Sequence, residues 1–259
     1  LQVTPWFHSV FFIACLSVIS PVQAFSLPQP KEEVAATKVA FIQLNADAGD
    51  AEAQFLLGLM SISGRFVPID KDEGIKRLQQ AAAQQHPKAL QALADIYYDG
   101  KLVPRDLNQA LTGYQQLVTQ GNEAARFRIG LIYAAGGKGV ARDCGRAVDE
   151  FTQVGDTVSL GNVVWILSTC PEAKHRDGAR ALKLGLELLK NNQHDPSILD
   201  NLAAAYAEMG DFGAAVKVQQ QAIDALSQNP SFEQHATEFR LRLISYLNRQ
   251  AYREALPLK

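Results

Sequence analysis

From Lys31 to Leu247 apolar residues return every three or four positions, in runs broken by short stretches of Gly, Pro, Asp and Asn. That spacing places the apolar side chains on one stripe of a helix. Lys31 to Ala46 carries Ala35, Val39, Ile42 and Ala46 on such a stripe. The next segment, Asp50 to Ile62, points Ala53, Leu57 and Met60 inward, and Gly64 ends it, because glycine enters the left-handed conformation without a Cβ clash. Pro68 keeps the loop out of helix. Asp70 then offers its carboxylate to the free N–H groups of a second helix. Glu73 stands where it would complete a capping box, as Gln109 does after Asp106.

This helix–loop–helix pattern repeats with a period of 36 residues. Leu57-Gly58 returns as Leu93-Ala94 and Ile129-Gly130, Ser61 as Tyr97 and Tyr133, and Gly64 as Gly100 and Gly136. Asp70 returns as Asp106 and, after one extra residue in the third loop, as Asp143. The second helix buries Leu78 and Ala81, matched by Tyr114 and Leu117 and then by Phe151 and Val154. A small residue at Gly74, Ala110 and Ala147 lets it approach the first helix closely. Units of this kind bury their apolar faces only against their neighbours, so they stack. The expected units span residues 49–84, 85–120 and 121–156, with 31–48 as an N-terminal capping helix.

From Leu160 the period changes. Asn162 to Ser168 reads as a short apolar helix ended by Thr169-Cys170-Pro171, and a long loop, Cys170 to Gly178, leads to a helix ending near Lys190. Pro196 to Met209 pairs with Phe212 to Leu226, and Phe232 to Leu247 is the expected C-terminal cap. Gln250 to Glu254 is too short to assign.

Ala89, Leu93, Tyr97, Gly100, Val103, Asp106, Ala110 and Tyr114, repeated from Ala125 to Phe151, carry a pattern that resembles the Sel-one-like repeat, a relative of the tetratricopeptide repeat. Leu199, Leu202, Ala203, Tyr206, Gly210, Ala215 and Ala222 resemble a tetratricopeptide repeat, so residues 157–259 are expected to be tetratricopeptide-like. The resemblance implies an all-α, right-handed superhelical solenoid of stacked antiparallel helix pairs. It also implies a concave groove lined by the first helix of each pair. Carried over residue by residue, the groove face is Glu52, Phe55 and Leu59, then Lys88, Gln91, Asp95 and Tyr98, then Phe127 and Leu131, and later Asp200, Ala204 and Glu208. Phe55, Leu59, Phe127 and Leu131 fit core filling better than ligand contact. The polar face of the middle unit is the better candidate.

Composition narrows the function. Lys and Arg number 25 against 27 Asp and Glu, so there is no basic surplus for nucleic acid. Near the N-terminus, Phe11 to Ile19 forms an apolar run too short to span a bilayer. Val22 and Ala24 follow with the small-residue spacing of a signal-peptide cleavage site, so 1–24 reads as a signal peptide and 25–30 as a linker. Phe12-Ile13-Ala14-Cys15 is a poorer match to a lipoprotein signal, lacking the leading Leu. A periplasmic or secreted chain is expected. After cleavage Cys144 and Cys170 remain. Export permits a disulfide, while the spacing offers no framework and buried free cysteine is common, so the sequence leaves both states open.

No enzymatic set stands out. Cys170, His175 and Asp177 lie in one loop, whereas nucleophile and base usually converge from distant positions. There Pro171 stops a helix and Asp177 caps the next. Ala135 to Gly139 occupies the normal turn of the repeat and lacks the Ser or Thr of a phosphate loop. His86, His175, His194 and His235 have no metal-ligand spacing. The expectation is a non-enzymatic exported scaffold that binds a protein or peptide in the bacterial cell envelope, without cofactor, metal, nucleic acid or integral membrane segment. The alternatives are an accessory or enzyme of peptidoglycan or exopolysaccharide metabolism, suggested by relatives of the repeat, and a secreted virulence or stress factor.

Overall fold

The computed structural model describes residues 31–227 and 235–254. The expected signal peptide, the linker and the first residues expected in the last helix lie outside the described residues. Among them, twelve α-helices follow in sequence: α1 Lys31–Asp47, α2 Ala51–Ser63, α3 Lys71–Ala83, α4 Pro87–Asp99, α5 Leu107–Thr119, α6 Ala125–Ala135, α7 Cys144–Val154, α8 Thr157–Thr169, α9 Gly178–Asn191, α10 Pro196–Glu208, α11 Phe212–Ser227 and α12 Ala236–Leu247. They pack in sequential pairs, α2 with α3, α4 with α5 and α6 with α7. The second helix of each pair carries the stack onward, α3 onto α4, α5 onto α6 and α7 onto α8. None of the described helices is long and apolar enough to cross a membrane.

One hydrogen bond recurs in the loops and sets the pair geometry. The backbone N–H of Asp70 donates to the Ser61 carbonyl (2.9 Å), Asp106 to Tyr97 (3.0 Å), Asp143 to Tyr133 (2.8 Å) and Asp177 to Leu167 (2.9 Å). The carboxylates of these four residues accept from the N–H groups of Glu73, Gln109, Arg146 and Arg180, capping α3, α5, α7 and α9. This corrects the expected capping boxes. The Asp70 N–H is already bonded, so Glu73 turns instead to Arg77 (2.6 Å) and Lys76 (3.4 Å). The Asp106 N–H is likewise taken before Gln109 could reach it.

The same bond corrects the reading of the fourth pair. Asp156 caps α8 through the Ser159 N–H (2.7 Å), so α8 starts at Thr157 rather than Asn162 and has the 13 residues of α2 and α4. The loop from Leu167 to Asp177 is no longer than the one from Tyr133 to Asp143 and closes in the same way. In the third turn Gly136 adopts φ +64 and ψ −173 instead of the left-handed conformation of Gly64 and Gly100. A short antiparallel bridge between Gly137 and Val140 absorbs the extra residue there.

Close helix approach is built into α2 and α3. A Cβ on Gly58 would lie 2.9 Å from the Gly74 carbonyl oxygen, and a Cβ on Gly74 2.8 Å from that of Gly58. From there an apolar core runs without a break through Tyr114, Ile132, Phe151 and Val164 to Ala205. The junction at Gly155 is one glycine and one cap long, and α7 packs directly on α8. Cys144, the first residue of α7, is joined by a disulfide to Cys170, just past α8. The pairing that the sequence leaves open is therefore formed. The repeat brings the start of one second helix beside the end of the next first helix, a juxtaposition that the 26-residue separation conceals.

Candidate functional site

The helices α4, α6 and α8 present one wall each to a shared pocket of about 310 Å3. Tyr98 comes from α4, Leu131 and Ala134 from α6, and Trp165 and Ile166 from α8. Arg142 and the Cys144–Cys170 disulfide stand at its edge. The lining is mostly apolar, the usual surface for holding a ligand by a few anchors. Tyr98 is held rather than loose: its ring meets Tyr114 edge-on at 6.5 Å, with the guanidinium groups of Arg128 and Arg105 at 5.2 and 6.0 Å from its centre.

Behind Tyr98 the polar face of α4 is internally satisfied. The Tyr114 hydroxyl donates to one oxygen of Asp95 (2.6 Å), and the Gln91 amide donates to the other (3.0 Å). Burial and that bond to Asp95 push the Tyr114 hydroxyl well above the usual phenol range, so it stays a donor. Glu52 on α2 meets both His86 (2.7 Å) and Lys88 (3.3 Å). Its hydrogen bond with His86, aided by Lys88, holds the Glu52 carboxyl below the usual carboxylate range. His86 also caps α4, its Nδ1 accepting from the Ala89 N–H (3.2 Å) while its ring stacks on Phe55. Its partners assign the proton to Nε2. Sequence reasoning missed this link between units. The available signal was the period itself, since Glu52 and Lys88 are equivalent positions of opposite charge, 36 residues apart.

The apolar candidates divide. Phe55 is buried in the core, as expected, and Phe127 is half-buried with its ring edge-on to Phe151. Leu131 instead lines the pocket, and Leu59 is 40 % exposed beside α1. Two acidic candidates need correction. Asp200 is 5 % exposed and binds Arg242 (2.8 Å) and the Gln219 amide (2.7 Å). Burial pushes its carboxyl upward and Arg242 pulls it back. Glu208 is held between Arg176 (2.9 Å) and Arg253 (2.6 Å). Neither carboxylate is offered to a ligand. Ala204 is buried as well.

The residues left unassigned in sequence, 250–254, lie across this face. Tyr252 packs on Trp165 at 5.7 Å, and the Arg253 guanidinium donates to the Ser168 carbonyl (3.2 Å). The Glu254 N–H donates to the Thr169 carbonyl (2.9 Å), and Arg142 donates to the Glu254 carbonyl (2.7 Å). The strap uses the free carbonyls at the end of α8. It separates the α4–α6–α8 pocket from a more polar one walled by α8, α10 and α12. Cys170, bound in the disulfide, has no thiolate, and Asp177 is the cap of α9.

Fold and groove define a class, a helical-repeat scaffold. Residues 51–86, 87–122 and 123–149 match the Sel1 repeat family model. No separate tetratricopeptide region emerges. Sel1 repeats usually serve protein interaction and are generally non-catalytic. The chain is 32 % identical over 161 residues to the chitin synthase regulator SKT5 of Saccharomyces cerevisiae, covering 57 % of this chain and 23 % of that protein. It is 32 % identical over 108 residues to the DAP3-binding cell death enhancer 1 of Mus musculus, covering 42 % and 20 %. The chain thus spans about a fifth of these curated relatives. Among solved structures it is similar to a Sel1 repeat protein from Oxalobacter formigenes, with TM-score 0.57 and 23 % identity, covering 77 % of this chain and 58 % of that one. It is also similar to a protective antigen of uropathogenic Escherichia coli that displays the same fold, with TM-score 0.50 and 19 % identity, covering 83 % and 54 %. At these identities the structures speak for the fold alone.

Proposed function

We propose that this chain is an exported scaffold of the bacterial cell envelope that holds a segment of a partner protein in the groove between α4, α6 and α8. The observation that carries this reading is the apolar pocket assembled from Tyr98, Leu131 and Trp165, one residue from each of three successive first helices. A peptide running across the stack meets all three, so a few anchors supply most of the binding energy. The Cys144–Cys170 disulfide supports an oxidising compartment, in keeping with the signal-like N-terminus. The name of the murine relative states binding to another protein, and that of the yeast relative states regulation of an enzyme. In the C-terminal part, direct packing of α8 on α10 supports a tetratricopeptide-like arrangement.

The yeast relative also favours a second reading, in which the partner is an enzyme of polysaccharide synthesis or remodelling. Cross-linking in envelope extracts tests the groove. The wild-type chain is expected to capture a partner that the Tyr98→Ala, Lys88→Glu double variant loses. Unchanged capture by the double variant rejects this face as the binding site.

A further inference from the structure

We propose that the chain stacks on itself head to tail, α12 of one copy seating in the cleft between α1 and α2 of the next. The two ends of the described stack are complementary halves. The helix α1 packs on α2 as α3 packs on α4 and α5 on α6, so it is a second helix. The helix α12 packs on α11 as α10 packs on α9, so it is a first helix. Among the described residues α1 has no first helix before it and α12 has no second helix after it. Brought together, the two complete one more pair, and the stack runs on from copy to copy.

The cleft has the position and the lining for that guest. Within the stack a first helix lies in the angle between its own second helix and the next first helix, as α8 does against α9 and α10. The matching angle between α1 and α2 holds a cavity of about 820 Å3. Lys38 and Ile42 line it from α1, Leu56, Leu59 and Met60 from α2, and Phe66 from the loop beyond. Phe41 and Leu44 on α1, like Phe66, are more than half exposed. Phe41 stands one period before Arg77, which reaches back from α3 to Asp47 on α1 (2.6 Å). Phe41 thus holds the position that meets a preceding second helix, here α11 of the neighbouring copy. The guest is equally apolar. Leu241, Ile244 and Leu247 follow at intervals of three on α12, a spacing that makes them neighbours on the helix surface, and each is more than half exposed. The chain beyond them turns back towards α8, where Tyr252 packs on Trp165, and leaves this face open. Apolar patches of this kind mark interaction surfaces, and joining one to the other takes both out of water. Because the two surfaces differ, every added copy still offers a head and a tail, so association runs on beyond a dimer.

Size exclusion with light scattering on the full chain, from micromolar to millimolar concentration, reads the assembly. The wild-type mass should climb with concentration past that of a dimer. A head variant, Phe41→Asp with Leu59→Asp, and a tail variant, Leu241→Asp with Ile244→Asp, should each stay monomeric. Mixed in equal amounts they should form a dimer and nothing larger, because one intact tail then meets one intact head. All four positions are exposed, so both variants should keep the helical circular dichroism of the wild type. Where one does not, Leu44→Asp or Ile244→Asp alone takes its place. A wild type that stays monomeric throughout overturns the proposal and leaves the cleft to a different partner. A dimer that either variant still forms alone overturns it too, since like ends would then be pairing. So does a mixture of folded variants that fails to associate.

Discussion

Arg242 joins several elements of the C-terminal half. Its guanidinium lies over the rings of Phe239, Trp165 and Tyr252 at 4.9, 5.2 and 5.7 Å, and its Nε donates to Asp200. One planar cation thereby ties α12 to α8, α10 and the strap, a role that a lysine could not fill with the same geometry. Asp200→Ala would leave this charge buried with its principal partner gone, at a cost of about 3–5 kcal/mol. Urea unfolding should show the loss as a lowered midpoint, and an unchanged midpoint would mean that the pair contributes nothing. The sequence offers Asp200 as a groove residue because its offset matches a ligand-facing position. Arg242 stands 42 residues away, so no local signal announces that the carboxylate is already taken. Glu208 was hidden for the same reason, its partners Arg176 and Arg253 being remote in sequence.

Between residues and the whole stack, the helices themselves were the most legible part. Capping aspartates, loop glycines and apolar stripes are local features, and they place the ends of α2 within a residue. What escaped depends on backbone groups that composition cannot assign. The capping box fails because the Asp70 N–H is bonded to Ser61, and α8 gains a turn because Asp156 caps it directly after Gly155. The disulfide joins two elements that periodicity brings together without naming cysteine. It closes a span of 26 residues, and restricting the unfolded chain by a loop of that size stabilises by about 3.5 kcal/mol. Reduction, or Cys144→Ser with Cys170→Ser, should lower the unfolding midpoint accordingly. Two titratable thiols in the native, unreduced protein would contradict the bond.

Across the whole molecule, the stack works as a surface that no single unit possesses. The pocket needs α4, α6 and α8 together, and its far rim is completed by a strap arriving from beyond α12. Tyr98 was legible from the repeat resemblance, and Leu131 was named but fitted the core better. Trp165 and Arg142 were not legible as site residues, since one lies in a helix whose start was misplaced and the other in the irregular third loop. The remaining candidates, Glu52, Lys88, Gln91 and Asp95, hold each other and their neighbours, and shape the face more than they offer free groups. Hydrogen exchange with and without the captured partner tests the groove most directly. Binding should slow exchange in residues 87–99, 125–135 and 157–169, the helices α4, α6 and α8. Protection confined to α3, α5 and α7 would place the partner on the opposite helices and contradict the groove.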